Sequence, residues 1–241
     1  MESVMGHECT YPAQDGLAIE AYLARPNGPG PFPGVVVLHA RNGLLPFFKE
    51  CADELAQEGF VGFSIGWQTR VPPNEERRMP SDQEVMNDVA AGIDYLRTQP
   101  FVDITRLGVM GFCAGGTQTY LAVSTLDAFR AGVPHYGAPR RMRESEGPAE
   151  GQLPTAFDMA DKVQASLLIV QGEEDRAIPI QDVHDYRDRL QSLGKEVELA
   201  VYPGMGHAFT IRGGRSYDEA SATDAWKRTV AHFRRTLMGL P

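Results

Sequence analysis

The chain has few cysteines, and their number and spacing exclude two kinds of scaffold. Its 241 residues include three cysteines, Cys9, Cys51 and Cys113. An odd number of cysteines without closely spaced pairs argues against a disulfide framework and against a structural metal centre. We therefore expect free thiols, a reducing cytoplasmic environment and no metal site.

The sequence also lacks an excess of positive charge and any long apolar run. Its 23 basic and 32 acidic residues give a formal net charge of −9, which argues against nucleic acid and anionic membranes as partners. No segment approaches the roughly 20 consecutive apolar residues of a membrane span. Residues 1–8 lack the basic and apolar regions of a signal peptide. The sequence leaves the oligomeric state open.

Apolar strand-like segments alternate with amphipathic segments along the chain. This order is typical of a mostly parallel sheet with helices on both faces, the α/β class. The length suits one such domain, and no repeat or convincing linker divides residues 1–241. Two segments, 66–80 and 139–161, are irregular and polar and are expected to border a functional site. The second is also too long for a plain connection.

Several local signals predict particular elements. Residues 17–24 are expected to form an antiparallel strand at the edge of the sheet. Residues 47–58 are amphipathic and end at Gly59, a suitable C-terminal cap. Ser81 and Glu84 form a capping-box pattern, which predicts a helix from residue 81 to about residue 98.

The most informative segment is Gly111-Phe112-Cys113-Ala114-Gly115-Gly116. It follows an apolar strand-like run and precedes a helix-compatible stretch, which is the pattern of a nucleophile elbow with sulfur in place of oxygen. The glycines leave room where strand and helix pass closely. A helix N-terminus also favours the thiolate form of a cysteine, which is the reactive form. The alternative interpretation is a buried cysteine in a glycine-rich turn.

An acid and a histidine follow in the chain order that this elbow requires. Asp175 comes shortly after the buried strand predicted at 165–171, and His207 follows the strand predicted at 197–202. The carboxyl ends of parallel strands lie along one edge of a sheet, so the three side chains are expected to meet there. Each residue alone has an ordinary interpretation, Asp175 as a turn former and His207 as a solvated loop residue.

The three motifs G-F-C-x-G-G, G-x-x-D-x-x-x-P and G-x-x-H-x-F together resemble the dienelactone hydrolase family of α/β-hydrolases, from about residue 15 to residue 237. The resemblance implies an α/β-hydrolase fold and a catalytic triad of Cys113, His207 and Asp175. It also implies the hydrolysis of lactones or small carboxylic esters. No cofactor is required for this reaction.

The chain departs from the family pattern at two positions. In the loop after the strand at 34–39, the family often carries a glutamate that contacts the nucleophilic cysteine, and this chain has Ala40 there. The dienelactone enzymes place an arginine for the substrate carboxylate four residues after the histidine. This chain has Ile211 at that position and Arg212 one residue later. The reaction class is therefore predicted more firmly than the substrate.

The expected mechanism needs donors for an oxyanion and groups that bind the substrate. The backbone amides of Ala114, directly after the nucleophile, and of Arg41 are expected to form the oxyanion hole. The candidates for substrate binding are Trp67, Tyr136, Arg140, Arg141, Phe209 and Arg212. The arginines near residue 140 have a second interpretation as a solvated charged face, against that of a clamp for an anionic lactone.

Two other functions stay open at this point. The same triad would serve a thioesterase or another acyl hydrolase, which an ester and thioester panel separates. The chain could also be a non-catalytic binding protein on a hydrolase scaffold, because fold does not fix function. In every case the expected ligand is a small molecule.

Overall fold

A computed structural model describes residues 6–71, 79–140 and 150–240. In this part of the chain, eight strands join in one sheet. The strands are β1 (His7–Pro12), β2 (Ala18–Ala24), β3 (Phe32–Leu38), β4 (Val61–Ile65), β5 (Val102–Phe112), β6 (Phe129–His135), β7 (Ser166–Gly172) and β8 (Val197–Tyr202). Their order across the sheet is β1-β2-β4-β3-β5-β6-β7-β8.

The sheet is mostly parallel, as the alternation of segments predicts. β1 pairs antiparallel with β2, and β2 pairs antiparallel with β4. All other neighbouring strands run parallel. The carboxyl ends of β3 and β5 to β8 therefore lie along one edge, where the loops after them can bring side chains together.

Helices cover both faces of the sheet. They are α1 (Pro46–Gln57), α2 (Asp82–Arg97), α3 (Ala114–Thr125), α4 (Ile180–Ser192) and α5 (Glu219–Phe233), with a single π turn at Arg234–Met238. The apolar residues of α1 and α5 share one buried cluster with one face of the sheet. Those of α2, α3 and α4 belong to the cluster on the other face. This arrangement confirms the predicted α/β-hydrolase fold class.

The edge of the sheet differs from the prediction. Residues 17–24 were expected at the edge, but β2 lies inside the sheet because β1 covers its outer side. β1 is mostly exposed and ends in a proline, so its sequence has little of the apolar character of a strand. It is anchored by Tyr11, which is buried and donates its hydroxyl hydrogen bond to the carbonyl oxygen of Asp88.

The helix signals are confirmed. The side chain of Ser81 accepts a hydrogen bond from the amide of Glu84, and the Glu84 side chain accepts one from the Ser81 amide, which completes the capping box of α2. Gly59 follows α1 with a φ of 94°, a conformation that favours glycine. Of the two irregular segments, residues 72–78 and 141–149 lie outside the described residues. In the remainder, short 3₁₀ helices form at Trp67–Arg70 and Ala160–Lys162.

Candidate active site

Cys113 lies on the sharp turn between β5 and α3. Its φ of 55° and ψ of −115° are unusual for a residue with a side chain. Its backbone N–H donates to the carbonyl oxygen of His135 at 3.1 Å, and its own carbonyl oxygen accepts from Thr117 at 3.1 Å. The side chain is half-buried and the thiol is free. These bonds hold the cysteine at the N-terminus of α3 in a strained turn, the geometry of a nucleophile elbow.

The glycines around Cys113 allow backbone segments to touch. A Cβ atom on Gly111 would lie 2.2 Å from the carbonyl oxygen of Gly115. A Cβ atom on Gly115 would lie 2.5 Å from the carbonyl oxygen of His39, and one on Gly116 would lie 2.5 Å from that of His135. The ends of β3 and β6 are therefore packed directly against the start of α3, beside the nucleophile.

Asp175 lies in the loop after β7, and its side chain is fully buried. Its Oδ1 accepts hydrogen bonds from the backbone amides of Ala177 at 2.8 Å and Ile178 at 3.0 Å. Its Oδ2 accepts from the side-chain amide of Gln171 at 3.0 Å. Burial alone would raise the pKa of this carboxyl, but His207 and the two amides outweigh burial and lower it. The acid is therefore a fixed carboxylate.

His207 contacts the acid and is influenced by the cysteine. Its Nδ1 lies 2.8 Å from Oδ2 of Asp175. Burial opposes the charged imidazolium, but Asp175 and Cys113 outweigh this cost and raise the pKa of His207 to about 10. The His207 side chain is 26% exposed whereas that of Asp175 is 0% exposed. The histidine can thus face a bound molecule while the acid stays out of contact with it.

The loop after β3 lies next to this group. His39 is buried, donates from Nδ1 to the carbonyl oxygen of Ala40 at 2.6 Å, and stacks on Trp67 with ring centroids 4.6 Å apart. Burial lowers the pKa of His39 to about 4, so it is neutral. The turn that follows contains Arg41, whose carbonyl oxygen accepts from the Gln68 side chain. Ala114 is the first residue of α3, so its amide is one of the free donors at a helix start.

Three of the predicted substrate-binding residues are packed inside the protein. Trp67, Tyr136 and Phe209 are each 0% exposed. Trp67 donates from Nε1 to the carbonyl oxygen of His39 at 3.2 Å. The rings of Tyr136 and Phe209 meet at 5.9 Å. The structure therefore places these side chains behind the loops of the site, and contact with a substrate stays a prediction for them.

The predicted arginines are engaged with acidic side chains. Arg140 lies over the ring of Phe157 and 3.8 Å from both Asp182 and Asp185. Arg212 pairs with two glutamates of α1, Glu50 at 3.2 Å and Glu54 at 2.5 Å. Arg141 lies outside the described residues. The positive charges of Arg140 and Arg212 are therefore partly balanced before any substrate binds.

Sequence reasoning missed two contributors to the site. Gln171, the residue before the end of β7, holds the acid through its side-chain amide. Thr210 shares a hydrogen bond of 2.7 Å with the hydroxyl of Tyr136. A polar residue at the end of an otherwise apolar strand was the available signal for Gln171, whereas nothing local marked Thr210. In the described ranges, no group of three or more His, Cys, Asp or Glu side chains could hold a metal ion.

In the part of the chain that the structure describes, no helix is both long and apolar enough to cross a bilayer.

The side chains brought together at the sheet edge have a clear chemical capability. A free thiol, an imidazole whose pKa the thiol helps to raise and a buried carboxylate bonded to the imidazole are the residue types of a nucleophile, a base and an orienting group. Such a group can transfer an acyl chain to water.

Comparison with known proteins agrees with this geometry. A model of the dienelactone hydrolase family matches residues 19–237. The chain is 32% identical over 231 residues to a Bradyrhizobium protein named "Probable 2-oxo-3-(5-oxofuran-2-ylidene)propanoate lactonase", with 91% of this chain and 90% of that protein covered. It is 29% identical to a Synechocystis "Putative carboxymethylenebutenolidase", with 95% and 96% covered.

A solved structure is also similar. The crystal structure of a protein from Klebsiella pneumoniae, described as a "Putative Dienelactone Hydrolase", superposes with a TM-score of 0.87 at 29% sequence identity. The superposition covers 97% of this chain and 100% of that one. The likeness therefore extends over nearly the whole chain.

Proposed function

The chain belongs to the dienelactone hydrolase family and is a hydrolase of esters or lactones, and we propose that Cys113, His207 and Asp175 catalyse this hydrolysis through a thioester intermediate. The observation that carries the proposal is the contact of His207 with the buried carboxylate, in which Nδ1 lies 2.8 Å from Oδ2 of Asp175. Cys113 lies on the turn before α3, and its side chain contributes to the raised pKa of His207.

In the first half of the reaction, the sulfur of Cys113 attacks the carbonyl carbon of the substrate. A carbon–sulfur bond forms, and the electron pair of the carbonyl moves to its oxygen. The amide of Ala114 and that of Arg41 are proposed to donate to this oxyanion. The carbon–oxygen bond then breaks, and His207 gives its proton to the departing alkoxide. In a lactone the alkoxide remains attached to the acyl chain.

In the second half, water cleaves the thioester. His207, now neutral, takes a proton from the water as it attacks the carbonyl carbon, and the carbon–sulfur bond breaks. The carboxylic acid leaves, and the thiolate and imidazolium are restored. Asp175 stabilises the imidazolium and fixes its tautomer throughout, because its Oδ2 accepts from Nδ1.

The substrate is proposed to be a lactone or a small carboxylic ester. The Bradyrhizobium relative is named as a lactonase and the Synechocystis relative as a carboxymethylenebutenolidase, which supports a lactone. Trp67, Arg140, Arg141, Phe209 and Arg212 are kept as proposed substrate contacts. A cytoplasmic location also belongs to this proposal, since a thiol nucleophile must stay reduced.

The triad is tested with Cys113→Ala and with Cys9→Ala as the matched control. We expect Cys113→Ala to abolish the hydrolysis of 4-nitrophenyl acetate and of the lactone dihydrocoumarin, and Cys9→Ala to keep wild-type rates. Thermal unfolding of both variants checks that they are folded. Turnover by purified, folded Cys113→Ala would contradict the proposal.

The intermediate and the alternative function need separate measurements. His207→Ala incubated with 4-nitrophenyl acetate is expected to accumulate an acetyl group on Cys113, read by peptide mass spectrometry, because the base for its removal is missing. Acetyl esters and acetyl thioesters are then compared on the wild type. A higher kcat/KM for the ester supports an esterase or lactonase, whereas a higher value for the thioester would favour a thioesterase on the same triad.

A further inference from the structure

Backbone strain is concentrated at the proposed active site. In the described part of the chain, the non-glycine residues with positive φ are Cys113 at 55°, Tyr136 at 39° and Ala208 at 66°. Such conformations are strained, and they persist only where surrounding contacts hold them. Cys113 is the proposed nucleophile, and Ala208 directly follows His207. Tyr136 is the third strained residue, and its contacts connect it to His207.

Tyr136 follows the last residue of β6 and packs against the histidine. Its backbone N–H donates to the carbonyl oxygen of Val170 at 2.7 Å, which fixes the residue to β7. Its ring meets the ring of His207 edge to face, with centroids 5.2 Å apart and planes inclined by 65°. The Tyr136 side chain is fully buried. It therefore forms one wall of the space in which the imidazole lies.

The hydroxyl of Tyr136 bonds to the turn that carries His207. It lies 2.7 Å from Oγ1 of Thr210, and the bond between them is buried. The turn is closed by a second bond, in which the amide of Ile211 donates to the carbonyl oxygen of Ala208 at 3.1 Å. The strained Ala208 thus lies between His207 and the anchored Thr210. The buried bond joins the end of β6 to the turn that carries His207, and its two residues are 74 positions apart in the sequence.

We propose that the hydrogen bond between Tyr136 and Thr210 is a positioning contact that holds the ring of His207 against Cys113. The inference rests on the proposed function, and it changes the role of Tyr136 from a substrate contact to a residue that acts through His207. Asp175 fixes the Nδ1 side of the imidazole. The Tyr136 ring and the anchored turn restrict the rotation and displacement that this bond leaves to the His207 ring.

A proton-transfer role for Tyr136 is less suitable. Burial raises the pKa of its phenol well above the ordinary value, so the hydroxyl stays protonated throughout the neutral range. The side chain is 0% exposed and packs against the ring of His207. Its effect must therefore be geometric, and small displacements of a catalytic base are known to slow turnover strongly.

The test removes one hydroxyl at a time. Tyr136→Phe and Thr210→Val each delete the bond with little change in shape, and Thr210→Ser restores an oxygen at the same position. We expect each deletion to lower kcat for 4-nitrophenyl acetate by about tenfold with KM nearly unchanged. We expect Thr210→Ser to recover most of the rate. The double variant should be no slower than either single deletion, because both remove the same bond.

A second readout separates positioning from stability alone. If His207 loses its place beside Cys113, the alkylation of Cys113 by iodoacetamide at about pH 6 should slow by at least threefold. Tyr11→Phe is the matched control, because it also removes a buried tyrosine hydroxyl bond, to the carbonyl oxygen of Asp88 at 3.0 Å on the edge strand. It can lower the melting temperature but should leave both kcat and the alkylation rate unchanged.

Three results would overturn the inference. The first is an alkylation rate of Cys113 in Tyr136→Phe that equals the wild-type rate. The second is a kcat of Tyr136→Phe no lower than that of Tyr11→Phe, and the third is a double variant whose fold-loss in kcat is the product of the two single fold-losses. These results leave the proposed function intact if Cys113→Ala is inactive. Activity in Cys113→Ala would instead remove the proposed function, whatever the Tyr136 variants do.

Discussion

Gly115 lies so close to Leu38 that a Cβ atom on the glycine would stand 2.1 Å from the carbonyl oxygen of the leucine. The contact joins the first turn of α3 to the last residue of β3. Real Cβ atoms do not approach a backbone oxygen this closely, so any larger residue at position 115 must push the helix and the strand apart. The proposed oxyanion donors lie next to this contact, at Ala114 in the first turn of α3 and at Arg41 in the loop after β3.

The first prediction is that Gly115→Ala lowers kcat for ester hydrolysis by more than the loss of folded protein accounts for. The displaced backbone separates the two amides, so we expect kcat for ester hydrolysis to fall by at least about 100-fold in folded protein. Gly194→Ala is the control, because Gly194 has a φ of 71° but nothing within 4 Å of a Cβ atom. It should cost about 1 kcal/mol of unfolding free energy and leave kcat unchanged. Equal kcat values for the two variants would contradict the prediction.

The second prediction concerns the acid. In Asp175→Asn an amide can take the place of the Oδ2 atom that faces Nδ1 of His207, so the imidazole loses the tautomer and charge partner that catalysis needs. We expect kcat to fall by roughly 1,000-fold or more. Glu173→Gln and Glu174→Gln are the controls, because these neighbours are exposed and lie outside the contact with His207. If one of them loses as much activity as Asp175→Asn, that glutamate is the acid.

Much of the fold and of the site could be predicted because its signals are local. The spacing of Gly111, Gly115 and Gly116 marks the elbow within six residues, and Asp175 and His207 each follow an apolar strand. Parallel strands then bring these positions to one sheet edge, and the structure indeed places His207 in contact with Asp175. The catalytic roles of these residues stay predictions.

The parts that escaped prediction depend on contacts between distant positions. The bond between Tyr136 and Thr210 joins segments that no local pattern relates. The edge strand β1 is polar and is identified only by its pairing with β2. Arg140 belongs to a basic cluster in the sequence, but α4 supplies the acids that balance it. A charged segment shows its charge in the sequence, whereas its partners become visible only in the fold.

The third prediction concerns stability and pH at Arg70. Its guanidinium makes two hydrogen bonds to Asp88, at 2.7 and 2.6 Å, and the Asp88 side chain is fully buried. Arg70→Met leaves that carboxylate without its cation, which should lower the free energy of unfolding at pH 7 by about 3 kcal/mol or more. Urea unfolding measures the loss.

The pH dependence of this loss has a definite sign. Burial raises the pKa of Asp88 despite the opposing effect of Arg70, and the loss of Arg70 raises it further. A carboxyl with a raised pKa in the folded state stabilises the protein in acid and loses that effect as pH rises. The defect of Arg70→Met should therefore shrink towards about pH 5. Arg97→Met is the control, because its partner Asp94 is 67% exposed, and it should change stability by less than about 0.5 kcal/mol at either pH.

The last prediction is that Cys113 is alkylated selectively in mild acid. Position 40 is an alanine and not a carboxylate, and the pKa of His207 is raised to about 10 because Asp175 and Cys113 outweigh the opposing effect of burial. The imidazolium therefore persists across the neutral range and favours a thiolate beside it. By contrast, burial raises the pKa of Cys9, and that of Cys51 is well above the ordinary thiol value.

Iodoacetamide labelling at a series of pH values, with each site read by peptide mass spectrometry, compares the three thiols in one sample. We expect Cys113 to react at least about tenfold faster than Cys9 and Cys51 near pH 6. In His207→Gln this advantage should vanish, because the imidazolium that favours the reactive form of the sulfur is missing. If the pH profile of Cys113 is the same with and without His207, the sulfur is not paired with the imidazolium. Another group would then have to activate it for attack.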